Sequence, residues 1–129
     1  MDGLKIINYK NKTIIYIDYT VKPGGGPDTI GSSKEKTIQL LRSATDEYKK
    51  CPEGSVLALC KFEGVRFDMD VLKVFKEEGA KTKPYEKKVA VIGIKGLLKA
   101  GYNFVVGLTS NTFKAFDSED EAKEWLVAN

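Results

Sequence analysis

No histidine occurs among the 129 residues. Ser-His-Asp and Cys-His catalysis are therefore excluded, as is zinc held by histidine. Carboxylates, lysines, tyrosines, hydroxyls and two cysteines are left to do any chemistry. Cys51 and Cys60 lack the C-x-x-C spacing of a redox or metal pair. Cys60 closes the apolar run Ser55-Val-Leu-Ala-Leu-Cys60 and reads as a buried, poorly reactive thiol. Free thiols predict a reduced, cytoplasmic setting, and neither cofactor nor metal is expected. Directly after that run stand Glu63, Gly64, Arg66, Phe67 and Asp68. Open α/β sheets place ligands where strands end, and Arg beside an aromatic residue makes a good interface anchor. A second group, Lys95, Lys99 and Tyr102, follows the next apolar run and can line a weakly positive cleft beside Arg66. Glu63 or Asp68 working with Lys95 is the enzyme alternative. It requires a carboxylate of raised pKa in a closed pocket.

The segment Pro23-Gly-Gly-Gly-Pro27 invites a phosphate-cradle reading, since exposed amides before a helix attract anions. A Walker loop, however, needs Gly-Lys-Ser/Thr where this chain has Gly31-Ser-Ser-Lys34, and Pro27 removes a donor. A loop over residues 22–33 is the simpler reading. The chain carries 21 basic and 18 acidic side chains, a formal charge of +3, and Arg only at positions 42 and 66. A nucleic-acid binder would show a denser, Arg-richer stripe, so no nucleic-acid partner is expected. The longest apolar stretch, Val89 to Ile94, is far below the ~20 residues of a membrane helix, so no membrane insertion is expected. The opening Met-Asp-Gly-Leu-Lys has no secretory pattern. The length suits one domain spanning 1–129.

Periodicity supplies the elements. Leu4 to Tyr9 and Thr13 to Tyr19 are β-branched and aromatic, and Lys10-Asn11-Lys12 between them reads as a hairpin turn. Ser32 and Glu35 form a capping-box pattern before a helical face of Ile38, Leu41, Ala44, Thr45 and Tyr48. Ser55 to Cys60 suits a strand covered on both faces. Asp68 is positioned to cap a second helix, with Val71, Leu72, Val74 and Phe75 inward and Gly79 as its stop. Lys87 to Gly93 is a further strand, and Leu97 to Leu108 carries a third helical stripe. Phe113 to Phe116 reads as a short strand. Ser118 and Glu121 box the start of a last helix with Ala122, Trp125 and Leu126 in the core. The order ββαβαβαβα predicts an α/β fold whose sheet is mostly parallel with an antiparallel first strand.

The opening Gly3-Leu-Lys-Ile-Ile, the stretch Gly93-Ile-Lys-Gly-Leu-Leu-Lys99 and the closing Phe113-Lys-Ala-Phe-Asp-Ser-Glu-Asp-Glu-Ala-Lys-Glu-Trp-Leu126 resemble the STAS (anti-anti-sigma, SpoIIAA-like) family of small domains. The resemblance implies a mixed sheet of about five strands with helices mainly on one face. It also implies partner docking through the loop after the third strand and the start of the second helix, or a nucleotide or hydrophobic ligand at the same end. In that family a Ser or Thr at the helix start is phosphorylated and the complex breaks. The matching Glu63-Gly-Val-Arg-Phe-Asp68 contains neither, so the surface carries over and the phosphoswitch does not. The expected function is a non-enzymatic interaction or regulatory module docking a protein partner or a small anionic ligand at the carboxyl end of the sheet. Apolar-ligand or lipid carriage, which would need a cavity under the third helical stripe, is the alternative, beside the small enzyme. Oligomeric state stays open, a dimer included.

Overall fold

Alternating apolar residues and one tight turn start the sheet. The computed structural model describes residues 3–20, 33–65, 69–93 and 112–128. Strands β1 (Leu4–Tyr9) and β2 (Lys12–Asp18) form the expected antiparallel hairpin. Lys10 and Asn11 turn it with both φ angles positive, 49° and 68°. This two-residue geometry matches the twist of the flanking strands. Strands β3 (Val56–Lys61), β4 (Glu86–Ile92) and β5 (Phe113–Phe116) add in parallel, giving a five-stranded mixed sheet of order β1-β2-β3-β4-β5.

Period-two alternation divides the strands between two cores. Ile15, Ile17, Ala58, Cys60, Val89 and Val91 face helices α1 (Lys34–Lys49) and α2 (Met69–Thr82). Ile14, Leu57, Leu59, Ala90 and Ile92 face helix α3 (Glu119–Val127) on the other side. Two of the three described helices thus share one face. The α/β class and mixed five-stranded sheet agree with the sequence reading. The stripe from Leu97 to Leu108 and the Gly/Pro loop up to Ser32 lie outside the described residues. Among the described residues, no helix is long and apolar enough to cross a membrane.

Three details differ from expectation. The α1 cap is Ser33, not Ser32, and its hydroxyl accepts from the Lys36 amide at 3.3 Å. Lys36 therefore holds the position a capping box gives to Glu, and Glu35 stands inside the first turn. Thr37 and Leu40 join the buried face while Ile38 is half-buried at its edge. Helix α2 continues past Gly79 to Thr82 before the 3-10 turn Lys83–Tyr85, so Gly79 is a helix-interior residue. Trp125 is only half-buried, tilted against Phe116 at a centroid distance of 5.5 Å, while Ala122 and Leu126 carry the core contact of α3. The Ser118 cap is as read, accepting from the Glu121 amide. The far end of α3 is held by Lys88, whose ammonium donates to the Trp125 and Ala128 carbonyls at 2.9 and 2.8 Å. Lys12 donates to the Val127 carbonyl at 3.1 Å. Positive charge at these helix-end carbonyls suits the helix dipole.

The turn after β3 and the turn after β4 meet closely. Gly93 has φ +81°, and a Cβ there would stand 2.4 Å from the Glu63 Cγ and 2.7 Å from its backbone nitrogen. Gly54 has a similar φ of +71° with open space around it. Gly93→Ala therefore combines backbone strain with a clash and should cost roughly 2–4 kcal/mol in urea unfolding. Gly54→Ala carries the strain alone and should cost about 1 kcal/mol. Equal losses at the two positions would contradict the close approach.

Candidate functional site

Small residues of both helices border a space between the sheet and its two-helix cover. The buried Ala44 and Thr45 of α1, the exposed Gly79 and Ala80 of α2, and Cys60 of β3 all line a cavity of about 470 Å³. This is within the range of small-molecule sites. Its walls are chiefly apolar and aromatic. At the carboxyl end of the strands, Tyr19 stacks on Phe62 at 4.9 Å, and Phe75 meets both rings at 5.8 and 5.4 Å. Tyr48 from α1 and Phe113 from β5 complete the aromatic lining.

Two phenols, a thiol and a carboxylate are among the polar groups on the space. Tyr19 and Tyr48 are only 2% and 4% exposed, and burial drives both phenols well above their ordinary pKa, with the Cys60 thiol adding to the effect. Neither phenol makes a hydrogen bond among the described residues. Burial likewise pushes the Cys60 thiol up to about 12, with Glu86 contributing. Cys60 is therefore a protonated wall group rather than a nucleophile. The fourth group is Glu86, the first residue of β4.

Glu86 reaches the cavity through a slip in strand register. Val56 pairs with Glu86, but the next residue, Leu57, pairs with Lys88, leaving Lys87 as an extra residue in β4. Regular alternation would put Glu86 with Lys88, Ala90 and Ile92 on the α3 face. The irregularity re-aims it to the α1/α2 face, a known use of bulges near sites. Its carboxylate accepts from the Thr82 hydroxyl at 3.1 Å and the Thr112 hydroxyl at 3.5 Å. Burial raises its pKa, and the two hydroxyls and the exposed Lys83 only partly oppose that rise. A second carboxylate, Glu78, is placed differently. Burial pushes it up, but the Lys81 ammonium at 2.8 Å, the Thr45 hydroxyl and Arg42 outweigh this and hold it below the ordinary value.

Sequence reasoning placed the site elsewhere. Glu63 is exposed and Gly64 (φ +76°) completes the turn behind β3, both at the opposite end of the strands from Glu86. Arg66, Phe67, Asp68, Lys95, Lys99 and Tyr102 lie outside the described residues, so which of them meet is not described. Missed were Tyr19, Tyr48, Glu78 and Glu86. Glu78 carried a signal, because it continues the inward spacing of Val71, Val74 and Phe75 on α2. Glu86 carried none, because a register slip has no sequence signature. Among the described residues, no three acidic or cysteine side chains are grouped as metal ligands would be. Comparison of the chain with protein-family models, with curated proteins and with solved structures returns no match.

The two carboxylates should act on stability in opposite directions. Glu86, with its raised pKa, contributes stability below the ordinary carboxylate range and loses it as pH rises through its folded-state value. Glu78, with its lowered pKa, contributes above the ordinary range and loses that as pH falls. Glu86→Gln should therefore raise the melting temperature near pH 7, with the gain vanishing below about pH 4, whereas Glu78→Gln should lower it. A destabilised Glu86→Gln protein near pH 7 would refute the desolvation account. Thiol reactivity gives a second check. Alkylation of the folded protein near pH 8 should consume Cys51, which is half-buried, well before Cys60, which should react only on unfolding. Equal rates in the folded protein would contradict the closed setting of Cys60.

Proposed function

We propose that this chain is a non-enzymatic binding module that holds a small, mainly apolar molecule between its sheet and the α1/α2 layer. The observation that carries the reading is the cavity of about 470 Å³ with aromatic walls and two buried phenols that have no hydrogen-bond partner among the described residues. Neither phenol oxygen is among the fully enclosed unpartnered atoms, so both hydroxyls are open to the space and can meet a ligand oxygen or nitrogen. Protonated Cys60 favours binding over nucleophilic chemistry. The STAS-type reading of the fold belongs to the same proposal. It is supported by the antiparallel opening hairpin, the three parallel steps that follow, and α1 and α2 on one face. A reduced, cytoplasmic setting is supported by Cys51 and Cys60 both being free.

Docking of a protein partner or anionic ligand at the carboxyl end of the sheet is a separate reading. Strand order favours the cavity over it. Ligand crevices at strand ends form where the strand order reverses. Here β2 to β5 follow one another in chain order, so the sheet has no such point.

The test is a neutral, solvatochromic naphthalene dye titrated into the full chain, with Ala44→Phe as the blocked control. Ala44 is buried on the cavity wall, so the larger ring fills the space in place of a ligand. The dye should brighten on the parent and bind at least about tenfold more weakly to the variant, which should melt no lower than the parent. Failure of the dye to bind the parent, or equal binding by a folded variant, would overturn the proposal.

A further inference from the structure

The polar end of the cavity selects the charge of its ligand. Glu86 is 9% exposed, and its side chain lines the space. Among the described residues, no Lys or Arg stands within ion-pair distance of it. Its neighbour Glu78 has such a partner in Lys81. Each Glu86 oxygen accepts one threonine hydroxyl, from Thr82 and Thr112. A carboxylate has about four acceptor sites, so about two are left for a further donor. The register slip at Lys87 turns this carboxylate into the cavity, where regular alternation would have placed Lys87 itself. Buried charges are ordinarily paired, and here the described residues supply two hydroxyls and no cation within ion-pair distance. Lys76 and Lys83 also border the space, but both are exposed at its rim and keep their water. The rest of the lining, from Phe113 and Tyr48 to the Tyr19, Phe62 and Phe75 rings, suits an apolar or aromatic body and tolerates a cation against ring faces.

We propose that the cavity receives a protonated primary amine joined to an apolar, ring-bearing body, with Glu86 taking the ammonium group. This rests on the apolar-ligand reading above and adds the head group. The ammonium supplies three donors to the carboxylate, and the body replaces water along the aromatic walls. A carboxylate-headed ligand of the same shape is opposed by Glu86, and an alcohol is neutral to it.

The test is calorimetric titration of the full chain near pH 7.5 with three shape-matched probes, phenylbutylamine, phenylbutanol and phenylbutyrate, repeated on Glu86→Gln. The parent should bind the amine at least about tenfold more tightly than the alcohol, with the acid weakest. Glu86→Gln should bring the amine down to the level of the alcohol and leave the alcohol unchanged. A third arm needs no variant. Amine affinity of the parent should fall as pH is lowered towards the carboxylate range, while alcohol affinity holds. Besides the exposed Lys83 next to it, Glu86 shares the space with the Tyr48 phenol and the Cys60 thiol, which burial keeps neutral, and with Glu78 of α2, which its Lys81 partner holds below the ordinary carboxylate value, so Glu86 takes up its proton first as pH falls. No histidine exists to confuse the profile. If amine and alcohol bind the parent equally, or the acid binds best, the amine assignment falls while the cavity reading stands. An amine preference that survives in folded Glu86→Gln also overturns the assignment. If none of the three probes binds, both readings fall together.

Discussion

Because β3 and β4 present apolar side chains to both faces of the sheet, each face needs a helical cover. Leu57 and Leu59 point one way, Ala58 and Cys60 the other, and all four are buried. On the α3 side the fit is close, with Ala122 and Leu126 seated on Ile14, Leu59 and Ala90 and two lysines securing the helix end. On the other side, Ala44 and Thr45 of α1 are small buried residues on the wall of a cavity that Gly79 and Ala80 of α2 also border. Protein interiors are normally packed to the density of organic crystals. Space of this size lined by rings and phenols is therefore a departure from what folding alone favours, and it lies on the α1/α2 face of the sheet.

The strands and helices were legible because their signals are local. Alternation over Ile14 to Tyr19, the apolar run to Cys60, and the Ser118 cap each depend on residues within a few positions, and each element stands where its pattern predicts. Errors came where a local rule had a competitor. Gly79 is a good helix stop in isolation, yet Glu78 paired to Lys81 and the following 3-10 turn carry the chain on to Pro84. Trp125 was assigned to the core on size and phase, but it lies at the margin of α3 against a four-residue edge strand that cannot cover it. The site was less legible still. A cavity arises from what several distant segments fail to fill, and the direction of Glu86 depends on a slip between two strands thirty residues apart in sequence.

Strand order moves attention from the loops to the layer. In a sheet whose parallel strands advance in one direction, successive crossovers lie on the same face. Their helices then sit side by side, as α1 and α2 do, and no gap opens between helices of opposite faces at the strand ends. At the carboxyl end, the Glu63 and Gly93 turns close on each other to the point that only glycine fits. The polar groups of the cavity gather instead at the amino end of β4, around Glu86, Thr82 and Glu78. The aromatic cluster of Tyr19, Phe62 and Phe75 lies at the other end. A bound molecule is thereby given a direction, with its polar group towards the start of β4 and its body along the sheet.

Glu86 makes the stability and the binding argument one argument. A desolvated carboxylate without a cation lowers the stability of the empty protein, as its raised pKa indicates. A ligand cation beside the carboxylate offsets that loss, and any molecule bound only by the folded chain stabilises it further in proportion to the logarithm of its concentration. The same side chain thus weakens the empty state and strengthens the occupied one. Glutamine at this position would keep an acceptor for one threonine hydroxyl and offer an amide donor to the other, which can accept as well as donate, so packing and hydrogen bonding alone do not require a carboxylate. What distinguishes glutamate from glutamine there is the ability to meet a positive charge, and among the described residues the chain itself provides none within ion-pair distance.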